Sequence, residues 1–344
     1  MNSHNKYEQA KNKFTPSKWS KYFWAFSLTV ILVGIIVFAC VGFNLGMDFT
    51  GGNIVKVETS TDLTTEQYNQ IKDKSNEILT ENGLKLSLIQ TEGESGEKAV
   101  SIQYQNKSGT TDSEMSEINT KVAESLREAF PNYTIVNAES KSATASSELL
   151  TNALLAVIIA LIFIMIYIAI RFEFLSGVAA LITLFHDVMI MCAVTCICQI
   201  EINSAFVAAV ITVLGYSINN TIIIFDRVRE NMRKPSLESL SNREIADLSV
   251  RQTLNRTINT SVTTIASIFM LACIGVPQMR EFVIPILIGL IAGTYASIFI
   301  SAPLWTAMMS RSKNNLRQRA KIKEAKAQKE EATTVDAVAT PIEE

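Results

Sequence analysis

Histidine occurs only twice in the 344 residues, and one of the two, His186, stands beside Asp187 in the middle of an otherwise apolar run. A carboxylate in hydrocarbon is costly unless paired, and a titratable imidazole next to it points to a proton relay, the commonest use of such groups. The following run carries Thr212, Tyr216, Asn219 and Asn220 at offsets of three, four and seven, one face of a helix. A third run begins with Arg256 and continues through Thr260, Thr263, Thr264 and Ser267 on a single stripe. Stripes of this kind are expected to face other helices rather than lipid. Hydroxyl and amide side chains also join helices with no further task, which is the plainer account of Thr260 and Thr264. Arg256 lies near the end of its run, where it can snorkel to the surface or serve as an ionic partner; both readings stay open. The ion-relay candidates are therefore His186, Asp187 and Arg256, and the coupling or helix-packing candidates are Tyr216, Asn219, Asn220, Thr260 and Thr264.

The elements that must position these residues are membrane spans. With 48% hydrophobic and 19% charged residues, the chain is too apolar for an ordinary soluble domain of its length. About 18 consecutive apolar residues suffice to cross a hydrocarbon core of about 30 Å, and six stretches qualify: 22–43, 149–170, 175–198, 204–225, 257–276 and 282–306. Lysine and arginine crowd the segment before the first span (Lys6, Lys11, Lys13, Lys18, Lys21), the loop between the fourth and fifth, and the tail from Arg311. The short loops on the other side are nearly bare. By the positive-inside rule both termini are cytoplasmic and residues 44–148 form one domain outside. The expected organisation is a cytoplasmic segment 1–21, a span at 22–43, the outer domain 44–148, and a five-helix region 149–310 with a cytoplasmic loop 226–255. A cytoplasmic tail 311–344, partly disordered, closes the chain. The loop, which carries Leu237, Leu240, Ile245 and Leu248, reads as a helix on the membrane surface. Its acidic residues nearly match its basic ones, which argues against nucleic-acid binding.

The first span is expected to stay as an anchor, since its apolar stretch is longer than a signal peptide's and no strong cleavage pattern follows. All five cysteines fall inside predicted spans, so no disulfide framework is expected. Cys192 and Cys196 share a helix face but lack histidine or carboxylate partners at ligand spacing, and read as packing residues rather than a metal site.

In the outer domain Asn53 to Glu58 alternates as a strand does, and Tyr68, Ile71, Ser75, Ile78 and Leu79 mark a helix over 64–82, begun after Asp62 and ended at Gly83. Two alternating strands follow around a turn at 93–96, then a helix over 112–130 with Met115, Ile118, Val122, Leu126 and Ala129 inward, then a strand at Tyr133 and Ile135. This β-α-β-β-α-β order is that of a ferredoxin-like split unit, an α+β fold. The domain has no histidine, no cysteine and no catalytic constellation. It reads as a binding or mechanical part, and nothing in the chain calls for an enzyme, a metal or a cofactor.

Gly46-Met47-Asp48-Phe49-Thr50-Gly51-Gly52, just after the first span, resembles the signature of the SecD/SecF family of protein-export membrane proteins. Arg171-Phe172-Glu173-Phe174, His186-Asp187-Val188, Gly215-Tyr216-Ser217-Ile218-Asn219, the segment from Phe225 to Asn231 and the segment from Arg256 to Ser261 are similar to motifs of its SecF branch, in order and at the usual spacing. The resemblance covers about residues 20 to 310. It implies six spans arranged as in half of a resistance-nodulation-division transporter in the bacterial cytoplasmic membrane, and pairing with SecD beside the SecYEG channel with SecA, with YajC as a further partner. An unfolded preprotein would be drawn outward using the proton (or other ion) motive force. Gly46, Asp48, Gly51 and Gly52 would shape the junction between first span and outer domain, with Asp48 capping or turning the chain locally. In one place the sequence departs from the family: after Gly-Tyr-Ser-Ile-Asn the usual residue is an aspartate implicated in carrying the proton, and here it is Asn220. An amide does not titrate in the physiological range, so that role does not transfer. Two other readings remain: a non-conducting scaffold for SecD, and half of a small-molecule exporter.

Overall fold

The computed structural model describes residues 14–58, 64–92, 99–105, 112–141, 143–237, 240–275 and 277–310. Six helices among them are long and apolar enough to cross a membrane. They are α1 (Pro16–Cys40), α5 (Ala143–Arg171), α6 (Phe174–Ile197), α7 (Ser204–Met232), α8 (Asn242–Ile274) and α9 (Pro277–Ala296). After Ala296 the last helix widens into a π turn, Ser297–Ser301, and then continues to Ser310. Each expected span lies within one of these helices or overlaps most of it, and the helices overrun the apolar stretches at one or both ends.

Overrun is greatest around residues 226–255. Among the described residues no separate surface helix forms there. Helix α7 continues to Met232, a 3-10 turn spans Pro235–Leu237, and α8 starts at Asn242 and runs unbroken into the fifth span. The start is fixed by a capping box: the Ser241 hydroxyl accepts from the Glu244 N–H while the Glu244 carboxylate accepts from the Ser241 N–H. Leu237, Ile245 and Val250 are buried, so the apolar residues of this stretch pack against the bundle instead of lying on lipid.

Between α1 and α5 the chain forms α2 (Met47–Thr50), β1 (Gly52–Glu58), α3 (Thr65–Glu81), β2 (Lys85–Glu92), β3 (Ala99–Gln105), α4 (Asp112–Ala129) and β4 (Thr134–Lys141). The strands make one antiparallel sheet in the order β2-β3-β1-β4. Val55, Val57, Val100 and Ile102 from the sheet meet Ile71 and Leu79 of α3 and Val122 and Leu126 of α4 in a core of their own. The capping residue of α3 is Thr64, in a capping box with Gln67; Asp62 and the turn at 93–96 lie outside the described residues. Gly83 has φ +69°, the left-handed step that ends α3. Within the core the Tyr104 hydroxyl donates to Asn119 Oδ1 at 2.8 Å, and Asn119 Nδ2 donates to Asn53 Oδ1 at 2.6 Å. Burial pushes the Tyr104 phenol well above its ordinary value.

Helices α6, α7 and α9 form the buried centre of the bundle, while α1, α5 and α8 turn large apolar faces outward. Close helix contact rests on small residues: a Cβ at Gly34 of α1 would come within 2.5 Å of Ala193 Cβ on α6. At its other end α1 is clasped by α8. Pro16 occupies the first helical turn, and the Asp247 carboxylate accepts from the Ser17 N–H at 2.9 Å and from its hydroxyl at 2.6 Å. The Thr15 side chain does not cap this helix. A carboxylate from a distant part of the chain does so, where the helix dipole favours negative charge.

Candidate functional site

A polar cluster is sealed at the centre of the bundle. Asp187 of α6 is fully buried and His186 nearly so. His186 Nδ1 and Asp187 Oδ1 are 2.9 Å apart, and the other carboxylate oxygen accepts from the Ser217 hydroxyl of α7. Gly293 of α9 makes room: a Cβ there would stand 3.1 Å from Ser217 and 3.4 Å from Asp187 Oδ2. Three helices thus converge on one carboxylate. With Asp187 ionised, His186 must carry its hydrogen on Nδ1, leaving Nε2 as an acceptor; with His186 charged, both nitrogens donate. Nε2 is buried and has no hydrogen-bond partner among the described residues. The imidazole lies edge-on between Trp24 of α1 at 5.9 Å and Tyr295 of α9 at 5.8 Å. The Tyr295 hydroxyl is 3.0 Å from Ser27 Oγ on α1.

One turn beyond Ser217, Asn220 is buried and its amide donates to Ser261 Oγ on α8 at 3.3 Å. Tyr216 and Asn219, expected on the same inward face, are exposed. So is Arg256, which has no hydrogen-bond or ion-pair partner among the described residues. The stripe on α8 likewise does not join helices. Thr264 donates to the Thr260 carbonyl at 2.9 Å, Thr263 to Asn259 and Ser267 to Thr263, all within their own helix. Beside this stripe the buried polar groups of α8 are Thr257 and Ser261, with Thr253, Ser249 and Asp247 nearer its start. Thus Asp187, His186 and Asn220 lie in the interior, Thr260 and Thr264 are half-buried, and Tyr216, Asn219 and Arg256 occupy an outer face of this chain.

Ser217, Tyr295 and Gly293 complete the cluster, and sequence reasoning did not single them out. A serine one residue after Tyr216 in an apolar helix looks like any packing serine. Only the helical offset from Asn220, three residues, hinted that it points inward.

The second assembly is the junction at Gly46 to Gly52. The Gly46 N–H donates to the Ile202 carbonyl at 2.9 Å, the Ile202 N–H to Asn44 at 2.8 Å, and Gln105 Nε2 to the Leu45 carbonyl at 3.0 Å. The segment is therefore tied both to the α6–α7 loop and to the sheet. A Cβ at Gly46 would run into the Glu201 carboxylate, and one at Gly52 would sit 2.5 Å from the Tyr104 carbonyl. Gly51 has φ +72°. The Asp48 carboxylate accepts from the N–H and the hydroxyl of Ser204, at the start of α7.

Six apolar helices around a sealed carboxylate, with one α/β domain inserted after the first, define a multi-pass helical membrane protein. Two family models match: "Protein export membrane protein SecD/SecF, C-terminal" over residues 121–311 and "SecD/SecF GG Motif" over residues 41–62. The chain is 35% identical over 284 residues to the protein translocase subunit SecF of Haemophilus influenzae, covering 83% of this chain and 82% of that one. It is 36% identical over 295 residues to the protein translocase subunit SecDF of Bacillus subtilis, covering 85% of this chain but only 37% of that protein. Among solved structures, SecDF of Thermus thermophilus, titled a translocon-associated membrane protein, aligns with a TM-score of 0.69 at 28% identity, over 86% of this chain and 39% of that one. The chain spans less than half of these SecDF proteins, and most of the stand-alone SecF. It belongs to the SecF branch of the SecD/SecF family of protein-export membrane proteins.

Proposed function

We propose that this chain works with SecD as the membrane subunit that uses the proton or another ion motive force to promote preprotein translocation, beside SecYEG and SecA, with YajC as an accessory. The full burial of Asp187 against His186 and Ser217 carries the reading. A carboxylate held at the crossing of α6, α7 and α9 gains or loses its charge only with a rearrangement of its three-helix setting, and one elementary charge crossing 100 mV yields about 2.3 kcal/mol. Asp187 is the proton carrier, His186 its exchange partner, and Asn220 a hydrogen-bonding group that does not titrate. Tyr216 and Asn219, exposed in this chain, meet SecD. The β-α-β-β-α-β unit is a ferredoxin-like domain outside the cytoplasmic membrane, with both termini inside; the basic ends of α5, α7 and α8 support that orientation.

Export in cells relying on this chain and its SecD tests the reading. Asp187→Asn is expected to reduce motive-force-dependent export while copurification with SecD is unchanged, and Asn220→Ala to do much less. Normal export by Asp187→Asn under full motive force would sink the relay. The non-conducting scaffold is the second reading, favoured by the amide at Asn220. It predicts no ion uptake by liposomes holding the purified pair.

A further inference from the structure

Where α5 and α7 end and α8 begins, far along the spans from the α/β domain, a groove of about 920 Å³ opens between the three helices. Six cationic side chains line it against two carboxylates, Asp226 and Glu230, an excess of four positive charges. The carboxylates are already engaged. Asp226 pairs with Arg171 at 3.4 Å and with Arg229 at 3.6 Å, and Glu230 with Lys234 at 2.7 Å and with Arg227. Arg233 and Arg256 remain, with no hydrogen-bond or ion-pair partner among the described residues, and both line the groove.

A second, narrower pocket of about 180 Å³ adjoins it and shares Arg229 and Arg233 as lining residues. Its other walls are mainly apolar, Phe172, Phe225, Val228, Met232 and Trp305, with Glu173 and Ser176 as the remaining polar lining. Trp305 is wholly buried, and its indole N–H has no partner among the described residues. A buried donor without an acceptor is uncommon and asks for a ligand that supplies one. Two arginines therefore stand between a wide cationic groove and a narrow, mainly apolar pocket with an unsatisfied donor, where the charged ends follow the apolar stretches of the helices.

We propose that this double pocket is a binding site for an anionic phospholipid. The headgroup phosphate lies in the groove against Arg233 and Arg256, and the glycerol ester region, with its carbonyl acceptors and the first part of an acyl chain, enters the pocket beside Trp305. The free guanidiniums match a phosphate in charge and in fork geometry. Basic pockets between spanning helices on the cytoplasmic side hold anionic headgroups in just this way. A free phosphate fits the groove as well but leaves the apolar pocket and the indole donor unexplained. The assignment does not depend on the ion relay.

Native mass spectrometry of the full chain, alone and copurified with SecD, is the test, with phosphatidylglycerol and phosphatidylcholine added in equal amounts and inorganic phosphate in a separate arm. Retention of phosphatidylglycerol over phosphatidylcholine is expected in both preparations. The double variant Arg233→Gln with Lys234→Gln should weaken that retention about thirty-fold, at about a fivefold loss per surface charge, with helix content and SecD recovery unchanged. Arg233→Lys should keep most of it. Equal retention of the two lipids, or a double variant that holds phosphatidylglycerol as well as the parent, overturns the proposal. So does binding of inorganic phosphate with no lipid preference. Retention by the lone chain that disappears in the SecD complex also overturns it, and assigns the groove to contact with that partner.

Discussion

Asp48 and Ser204 are 156 residues apart in the chain, yet the Asp48 carboxylate accepts both the backbone N–H, at 3.0 Å, and the hydroxyl of Ser204. The first turn of α7 is thereby capped by the segment that leads into the four-stranded sheet, and the domain built on that sheet is fastened to the helix that carries Ser217 and Asn220. Asp247 does the same for the first turn of α1 at the opposite end of the bundle.

Breaking the first of these links should loosen the junction without unfolding the bundle. Asp48→Ala is expected to cost about 1 kcal/mol, the usual loss for a helix-capping side chain. Amide hydrogen exchange of the first turn of α7 should quicken about fivefold, and export should fall. Ser204→Ala, which keeps the N–H, should show a smaller change of the same kind. Unaltered exchange in Asp48→Ala would mean that the cap contributes nothing.

Ser217 offers a probe of the carboxylate that leaves the charge in place. In Ser217→Ala one Asp187 oxygen loses its donor in a buried site, a loss of about 1–3 kcal/mol. The pH dependence of motive-force-driven export should shift while SecD copurification stays the same. A merely structural serine would alter yield and leave the pH profile where it was.

Gly293→Leu should be more severe than either, because even a Cβ is already in close contact with Ser217 and Asp187. Loss of export together with lowered thermal stability of the purified chain is expected, and Gly293→Ala should retain both better. Wild-type behaviour of the leucine variant would show that the packing is looser than the geometry requires.

In the domain built on the four-stranded sheet the raised phenol of Tyr104 sets an alkaline limit. A group whose pKa is raised by folding favours the folded state below its unfolded value, and that contribution fades as pH rises past it. Protection of β1 and β3 amides should accordingly hold up to about pH 10, the ordinary phenol value, and decline above it. Tyr104→Phe should flatten that decline, at the cost of leaving Asn119 Oδ1 without its donor. A decline of equal steepness in the variant would trace it to other groups.

Much of this arrangement was legible in the sequence. Apolar length found all six spans, and alternation found β1 and β3, whose inward residues Val55, Val57, Val100 and Ile102 are buried as the pattern demands. His186 and Asp187 stood out because ionisable groups are rare in hydrocarbon. The hidden parts had physical reasons. Thr263, Thr264 and Ser267 looked like helix glue, but a hydroxyl can satisfy itself on the carbonyl one turn back, and here each does. The stretch 226–255 reads in sequence as a surface helix because its charges end the apolar runs. The structure continues both helices through those charges, and the chain reverses around Pro235–Leu237. Ser217 and Tyr295 have polar atoms that matter only through neighbours on other helices, a relation no single-helix pattern contains.

The π turn at Ser297–Ser301 gives the last helix a tolerance that its neighbours lack. A turn closed from i to i+5 holds one residue more than an α turn, so shortening the chain by one residue at that place would restore a regular helix and leave everything after it facing the same way. The same deletion three turns earlier, near Pro285, would rotate Tyr295 and Trp305 by about 100° about the axis, removing one from His186 and the other from its pocket. Length variation in this helix is therefore confined to a single turn, and a deletion scan along it should find one permissive position amid damaging ones.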